Sequence, residues 1–342
     1  MSTTTAVETT VAETRRETSR RTLVQAVRDA MAEAMRRDPS VLVMGEDVGP
    51  NGGVFRATEG LYEEFGPERV IDTPLAESGI VGTAIGMAMT GWRPVVEIQF
   101  MGFVYPAINQ ILAHAARMRN RTRGRFGVPM VIRMPYGGGI HAPEHHSESY
   151  EALFVHSPGI KVVVPSTPAD AKGLLLEAIF DDDPVLFLEP KRIYRSSRDE
   201  VPEGSHRVPI GPARLARKGR DVTLIAWGAM VPQALAAAEL LARDGVEAEV
   251  LDLRTLDPMD RGAIVESVGR TGRAVVVHEA PRQAGVGAEI SALIMERCLL
   301  QLLAPVRRVT GFDTVMPLAR MERLYLPHRD RIVAAVRETL EF

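Results

Sequence analysis

Cysteine is almost absent from the 342 residues: Cys298 stands alone, within the helical run "EISALIMERCLLQLL". No intrachain disulfide can form, which fits a reducing cytoplasm, and a lone cysteine in an apolar run reads as a small buried side chain. Long apolar runs are missing too, since no stretch approaches the roughly 20 residues that a membrane span needs. The first residues, "MSTTTAVETTVAETRRETSRR", lack the apolar segment of a secretion signal, and Glu8, Glu13 and Glu17 speak against an acid-poor organelle transit peptide. Neither sign of charge is in excess: Lys+Arg number 41 and Asp+Glu 44, a net charge of −3. Nothing in that balance calls for nucleic acid or a membrane surface as partner. The phosphate-cradling G-x-x-x-x-G-K-S/T is also missing. "GIVGTAIG" and "GVGAEI" fall short of a dinucleotide fingerprint, because neither joins a first strand to its helix with an acidic residue about 20 positions on. Their glycines read as places where helices pack closely.

What is present alternates. "TLVQAVRDAMAEAMRRD" carries Leu23, Val24, Val27, Ala30, Met31, Ala34 and Met35 on one helical stripe, and "SVLVMGE" follows as a short buried strand. Strands at "ERVID", "RPVVEIQF", "VPMVIRM", "IKVVVP" and "PVLFLEP" are separated by helical stretches such as "YPAINQILAHAARM" and "PADAKGLLLEAIF". That order predicts a parallel sheet covered on both faces. The polar, proline-bearing stretch after "EP" interrupts the rhythm, which restarts with strands "DVTLIAWG", "EAEVLDLR", "RAVVVHEA" and "PVRRVTG" and the helices between them. The fold class is therefore α/β, with two three-layer domains of parallel or mixed sheet. The boundaries expected are a disordered tail over 1–20, a first domain over 21–195, a linker over 196–212 and a second domain over 213–342. The tail's Thr, Glu and Arg cannot bury enough surface to offset the entropy of ordering.

"IDTPLAESGIVGTAIGMAMTG", residues 71–91, sets the carboxylate of Glu77 where a buried strand gives way to a helix of glycine and small apolar residues. A buried carboxylate without a partner costs several kcal/mol, so Glu77 needs one.

"GEDVG" at 45–49, "IDTPLAESGIVGTAIGMAMTGWRPVVEIQF" at 71–100, the stretch from "HHSES" to "EPKRIYR" at 145–195 and "EVLDLRTLDPMD" at 249–260 together resemble the beta subunit of thiamine-diphosphate-dependent 2-oxo acid dehydrogenases. These are the decarboxylating components of the pyruvate and branched-chain 2-oxo acid dehydrogenase complexes. The resemblance covers nearly everything after the tail. It implies a pyrimidine-binding domain followed by a transketolase-type C-terminal domain. It also implies that Glu77, in a T-P-I/L-x-E motif, hydrogen-bonds N1′ of the cofactor's aminopyrimidine and favours the tautomer that removes the thiazolium C2 proton. Glu46 of "GEDVG" is then an acidic neighbour of the cofactor, and Phe103 packs on the aminopyrimidine ring. His146 stands at the mouth of the active site for substrate or lipoyl group, with His145 a less constant neighbour. "AIFDDDP" matches a loop that holds potassium in some relatives, through Asp181, Asp183 and carbonyls at Ala178 and near Met130; oxygen ligands suit a hard cation.

The family's partner motif is missing. Thiamine enzymes that hold the diphosphate through Mg²⁺ use G-D-G followed by Asn, and this chain has no G-D-G and only three asparagines. The resemblance therefore implies that an alpha subunit supplies the diphosphate and Mg²⁺ ligands in an α2β2 heterotetramer, with a lipoyl acyltransferase core as further partner. "PYGGGI" and "EPKRIYR" lean toward branched-chain substrates over pyruvate. The alternatives are a nicotinamide-dependent dehydrogenase, which tight NAD binding would favour, and a non-catalytic scaffold subunit of the same fold, which the intact "TPLAESG" opposes.

Overall fold

A computed structural model describes residues 17–342 of the protein. Most of the expected tail lies outside the described residues, but its last part does not behave as a tail. The strands in chain order are β1 (Thr18–Arg21), β2 (Val41–Gly45), β3 (Val70–Asp72), β4 (Arg93–Glu97), β5 (Val131–Tyr136), β6 (Lys161–Val163), β7 (Val185–Pro190), β8 (Asp199–Pro202), β9 (Arg214–Arg217), β10 (Val222–Ala226), β11 (Ala248–Asp252), β12 (Thr255–Asp257), β13 (Ala274–Val277) and β14 (Arg307–Val309). β1 pairs antiparallel with β8, Thr18 opposite Pro202 and Arg21 opposite Asp199. The expected linker at 196–212 therefore contains a strand that ties the start of the described chain to the end of the first domain.

The first helix shows how the sequence writes its own boundaries. Thr22 and Gln25 form a reciprocal capping box at the start of Leu23–Arg37, and Arg36 and Arg37 face the negative end of its dipole. Its buried stripe, including Val27, Met31 and Met35, packs on the Pro168–Ile179 helix, which opens with Thr167 as cap and Pro168 in its first turn. β2, β5 and β7 are buried along their whole length, as strands covered on both faces must be.

The larger sheet has the order β12-β6-β7-β5-β4-β2-β3 and the smaller β14-β13-β10-β11-β9. Six strands of the larger sheet run parallel, β3 to β6 by way of β2, β4, β5 and β7. The exception is β12, which lies in the second half of the sequence and pairs antiparallel with β6. The second domain thus contributes an edge strand to the first. In the smaller sheet β9 is likewise an antiparallel edge. The stretch "YPAINQILAHAARM" differs from the single helix expected. Met101–Ala107 is 3₁₀ with Pro106 inside it, Asn109–His114 is wound as a π-helix, and Ala115–Arg117 is again 3₁₀. Proline has no N–H to give to a regular turn, and such windings recur where backbone serves a site.

Candidate active site

In an open parallel sheet, ligands bind beyond the carboxyl ends of the strands, where the order of connection reverses. Here β2 leads outward to β3 on one side while β4 leads to β5 on the other, so the reversal lies between β2 and β4. Glu46 directly follows β2, Glu97 ends β4, and Gly45 stands opposite both Glu97 and Asp72. Glu77 is the first residue of the Glu77–Met89 helix, five positions after the end of β3 at Asp72. It is 8% exposed, and no hydrogen bond or ion pair engages its carboxylate among the described residues. Glu46 is equally buried, and burial, followed by the nearby Glu77 charge, holds its carboxyl above the usual range. The structure therefore brings Glu46 and Glu77 together without supplying either a cation. Gln99 donates to Glu46 O at 3.4 Å and to Asp47 Oδ2 at 3.2 Å.

An aromatic wall stands beside these acids. The Met101–Ala107 segment carrying Phe103 packs against the Glu77 helix. Phe103 meets Phe100 edge-on at 5.3 Å and His146 at 5.1 Å, and Phe100 meets His146 at 4.7 Å. His145 lies on the outer side, 5.5 Å from Phe103 and stacked on Tyr105 at 6.1 Å. A Cβ at Gly102 would collide with the His145 carbonyl, so glycine there is what lets the histidine segment lie against the phenylalanines. His146 Nδ1 is buried and has no partner. An orphaned imidazole nitrogen, an unengaged carboxylate and an aromatic wall fit a flat nitrogen heterocycle with its own donors and acceptors.

Two polar assemblies beneath the site were not anticipated from the sequence. Arg133, fully buried in β5, donates from Nη1 to Glu97 Oε2 at 2.7 Å and in a fork from Nε and Nη2 to Glu189 at 2.6 and 2.9 Å; Tyr194 also donates to Glu189. Burial opposes the Arg133 charge, but the two carboxylates outweigh it and hold its pKa above the usual value. The second assembly straps down the loop that carries the histidines. Lys191 Nζ donates to Gly137 O at 2.5 Å, and the Glu322 carboxylate of the second domain accepts the N–H of Gly139 at 2.5 Å and of His141 at 3.1 Å. Gly137 has φ +81° and faces Glu279 so closely that a Cβ would collide with its carboxylate. Lys191 also lies 5.7 Å from the Phe100 ring centre. "PYGGGI" and "EPKRIYR" are thus the two sides of one clamp. Their signal in the sequence was a lysine and glutamates breaking otherwise apolar strand ends.

Removing the clamp's carboxylate, in Glu322→Ala, is expected to leave two loop N–H groups without acceptors and to loosen the histidine segment. Transfer to lipoyl groups should fall about ten- to a hundredfold, the scale of a displaced catalytic group, with thiamine diphosphate affinity unchanged. Equal losses in both measurements would mean that the clamp supports the whole site and not the histidine loop.

Glu151, in the helix Glu151–Val155, is 1% exposed, and burial pushes its carboxyl up to about 7. Its folded pKa lies above its unfolded one, so the folded chain holds the extra proton between about pH 4.5 and 7 and loses stability as pH rises through that window. Glu151→Gln should remove this dependence. At 1.36 kcal/mol per pKa unit the gain at pH 8 is at most about 3 kcal/mol, read as the difference between denaturant unfolding of the two proteins at pH 5 and pH 8. A gain equal at both pH values would overturn this account.

The residues expected to hold potassium are engaged with one another and with two side-chain cations. Asp181 Oδ2 is paired with Lys161 Nζ at 2.5 Å, its Oδ1 accepts the Asp183 N–H at 2.9 Å, and Asp183 is paired with Arg119 Nε at 2.5 Å. The carbonyls of Ala178 and Met130 accept the N–H groups of Asp181 and Val185. Two side-chain cations already neutralise the turn, and among the described residues no group of three His, Cys, Asp or Glu is placed to hold a metal ion. Among the described residues Met130, Ala178, Asp181 and Asp183 belong to an ion-paired turn, and a potassium site there remains a proposal.

Comparisons with known proteins bear on the chain as a whole. Residues 19–197 match the family described as transketolase, pyrimidine binding domain, and residues 211–332 match transketolase, C-terminal domain. The chain is 53% identical over 321 residues to the pyruvate dehydrogenase E1 component subunit beta of Staphylococcus epidermidis, and likewise to that of Bacillus subtilis. Each alignment covers 94% of this chain and 99% of the relative. A solved structure titled as a split gene transketolase, inactive beta4 tetramer, superposes with a TM-score of 0.73 at 27% identity, covering 94% of this chain and 98% of that one.

Proposed function

Because this chain belongs to the transketolase-like family of pyruvate dehydrogenase E1 beta subunits, whose members are beta subunits of thiamine-diphosphate-dependent 2-oxo acid dehydrogenases, we propose that it forms half of such an active site. The observation that carries this reading is the unengaged Glu77 carboxylate beside Glu46, on a helix packed against the segment whose Phe103 meets His146. Thiamine diphosphate would be held with its aminopyrimidine at Glu77 and its ring face toward Phe103. When bound, it supplies a nucleophilic carbon that takes up the carbonyl of the 2-oxo acid and stabilises the electron pair left by loss of carbon dioxide.

The chain's own residues do the rest. Glu77 holds a proton at the aminopyrimidine nitrogen, and burial together with the Glu77 charge holds the neighbouring Glu46 carboxyl above the usual carboxylate range. Phe100 and Phe103 exclude water from the same side. His146, with Nδ1 unpartnered, orients the incoming acceptor at the mouth. The reaction is oxidative decarboxylation of a 2-oxo acid with acyl transfer to a lipoyl disulfide. An alpha partner supplies the ligands for the diphosphate and Mg²⁺ in an α2β2 heterotetramer, which docks on an acyltransferase core. No helix among the described residues is long and apolar enough to cross a membrane.

On substrate, two signals disagree. The relatives are named for pyruvate, whereas "PYGGGI" and "EPKRIYR" led to branched-chain acids. Those stretches form the histidine-loop clamp, so they are poor witnesses to substrate, and pyruvate comes first. The test is to assemble the chain with its alpha partner and compare kcat/KM for pyruvate and a branched-chain 2-oxo acid. At least tenfold preference for pyruvate is expected; the reverse would restore the branched-chain reading, and turnover of neither would remove the family activity from this chain.

A further inference from the structure

At the far edge of the smaller sheet, four arginines from three elements converge on one cavity. β14 supplies Arg307 and Arg308, the loop after β13 supplies Arg282, and the Arg329–Leu340 helix supplies Arg331. The cavity measures about 260 Å³, and the one carboxylate in its wall is Glu338, 3.5 Å from Arg307 Nη2.

The cavity beside the histidine-loop clamp is larger, about 360 Å³, and sets Glu322 and Asp330 among its cations; the arginine cavity sets Glu338 alone against four.

The repulsion inside it is held in place by the fold. Arg282 and Arg308 each donate to the other's carbonyl oxygen, at 3.2 and 3.0 Å, which fixes the two side chains next to each other. Arg331 is pinned by Tyr325 O at 3.1 Å and Thr310 O at 2.7 Å, and it lies 4.8 Å over the Phe312 ring. Arg307 Nε is buried with no acceptor. The nearby Asp313 spends one oxygen on the Gln283 N–H, at 2.7 Å. Burial and then the Arg282 charge push Arg308 below its usual pKa, and the field reaches His278, which burial and the Arg308 charge push down to about 3. Arginine on an edge strand deters pairing with other strands, which accounts for Arg307 and Arg308. It does not account for Arg282 and Arg331 meeting them across a cavity.

We propose that this cavity binds a small oxyanion of the phosphate class, either inorganic phosphate or the phosphate group of a small metabolite. Guanidinium forks match phosphate oxygens two at a time, and an anion here relieves the repulsion among the four cations. Water occupies about 30 Å³ per molecule in the liquid, so the space admits a phosphate with a few waters but not a folded segment of another chain.

The test is calorimetric titration of the full chain with inorganic phosphate and, separately, with glycerol 3-phosphate, at ionic strength held constant with sodium chloride. Saturable binding at one site per chain is expected, weakened at least tenfold in Arg282→Ala/Arg308→Ala and less in the double lysine variant, which keeps the charges and loses the forks. Tighter binding of the ester assigns a metabolite as ligand, and tighter binding of the free ion assigns phosphate itself. Heats no different from those of added chloride would overturn the proposal, as would equal binding by the lysine variant and the native chain. Loss of the site when the alpha partner is added, or failure of the lysine variant to assemble with it, would reassign the arginines to an acidic face of that partner.

Discussion

Glu77→Gln is expected to fold and assemble normally and to lose two to four orders of magnitude in turnover. The side chain keeps its volume and its ability to hydrogen-bond, and no ion pair depends on it among the described residues, so stability has little to lose. What disappears is the acidic proton at the aminopyrimidine nitrogen. Removal of a positioned acid–base group costs about 10²- to 10⁴-fold, corresponding to roughly 3 to 5 kcal/mol of transition-state stabilisation. The Glu46 carboxyl should respond as well. Burial and the Glu77 charge hold it high, and an amide at 77 takes away the second of these, so its pKa should fall toward the usual range. Two measurements separate chemistry from structure: exchange of the bound cofactor's C2 proton with deuterated solvent, at equal cofactor occupancy, and titration of the Glu46 carboxyl by infrared difference spectroscopy. Unchanged exchange would reduce Glu77 to a structural carboxylate at the start of a helix, whatever happened to Glu46.

Much of the fold was written locally. The Thr22–Gln25 box, the Thr167–Pro168 start and the apolar runs of β2, β5, β7, β10 and β13 each carry their own periodicity or punctuation, and each forms the element expected. The departures are long-range. β1 is four polar residues whose strand partner among the described residues lies about 180 positions away, so no local pattern distinguishes it from a tail. β12 looks like part of a loop until β6, from the other domain, gives its backbone a ladder.

The same distinction runs through the site. Glu77 was legible because its requirement is local: a carboxylate placed among glycines and alanines at a strand-to-helix turn. The fork of Arg133 on Glu189 and the clamp of Glu322 on the Gly139 loop were not, because each joins residues from different strands or domains. The "DDD" run shows the same limit. A run of aspartates reads identically whether it awaits a potassium ion or is already met by Lys161 and Arg119, and only the fold brings those two cations to it.

The purified chain alone is expected to show no measurable decarboxylation of any 2-oxo acid with thiamine diphosphate and Mg²⁺ present, and to become active when an alpha-type partner is added. In the proposed reading, the groups at the carboxyl edge of the larger sheet serve the aminopyrimidine end of the cofactor: two acids, an aromatic wall and a histidine at the mouth. Nothing there addresses a diphosphate. The sequence has no G-D-G, and no cluster of potential metal ligands occurs among the described residues. An aminopyrimidine bound by one hydrogen-bonded acid and one ring face gives few of the contacts that fix a flexible charged cofactor, so its two rings would not be held in reacting geometry. Calorimetry should therefore find cofactor affinity at least a hundredfold weaker for the chain alone than for the assembled enzyme, with the rate rising in proportion to assembled sites as partner is titrated in. Saturation at one partner per chain is the expected end point. Robust turnover by the pure chain would mean that this protein carries its own diphosphate site, and the half-site reading of its sequence and structure would fall.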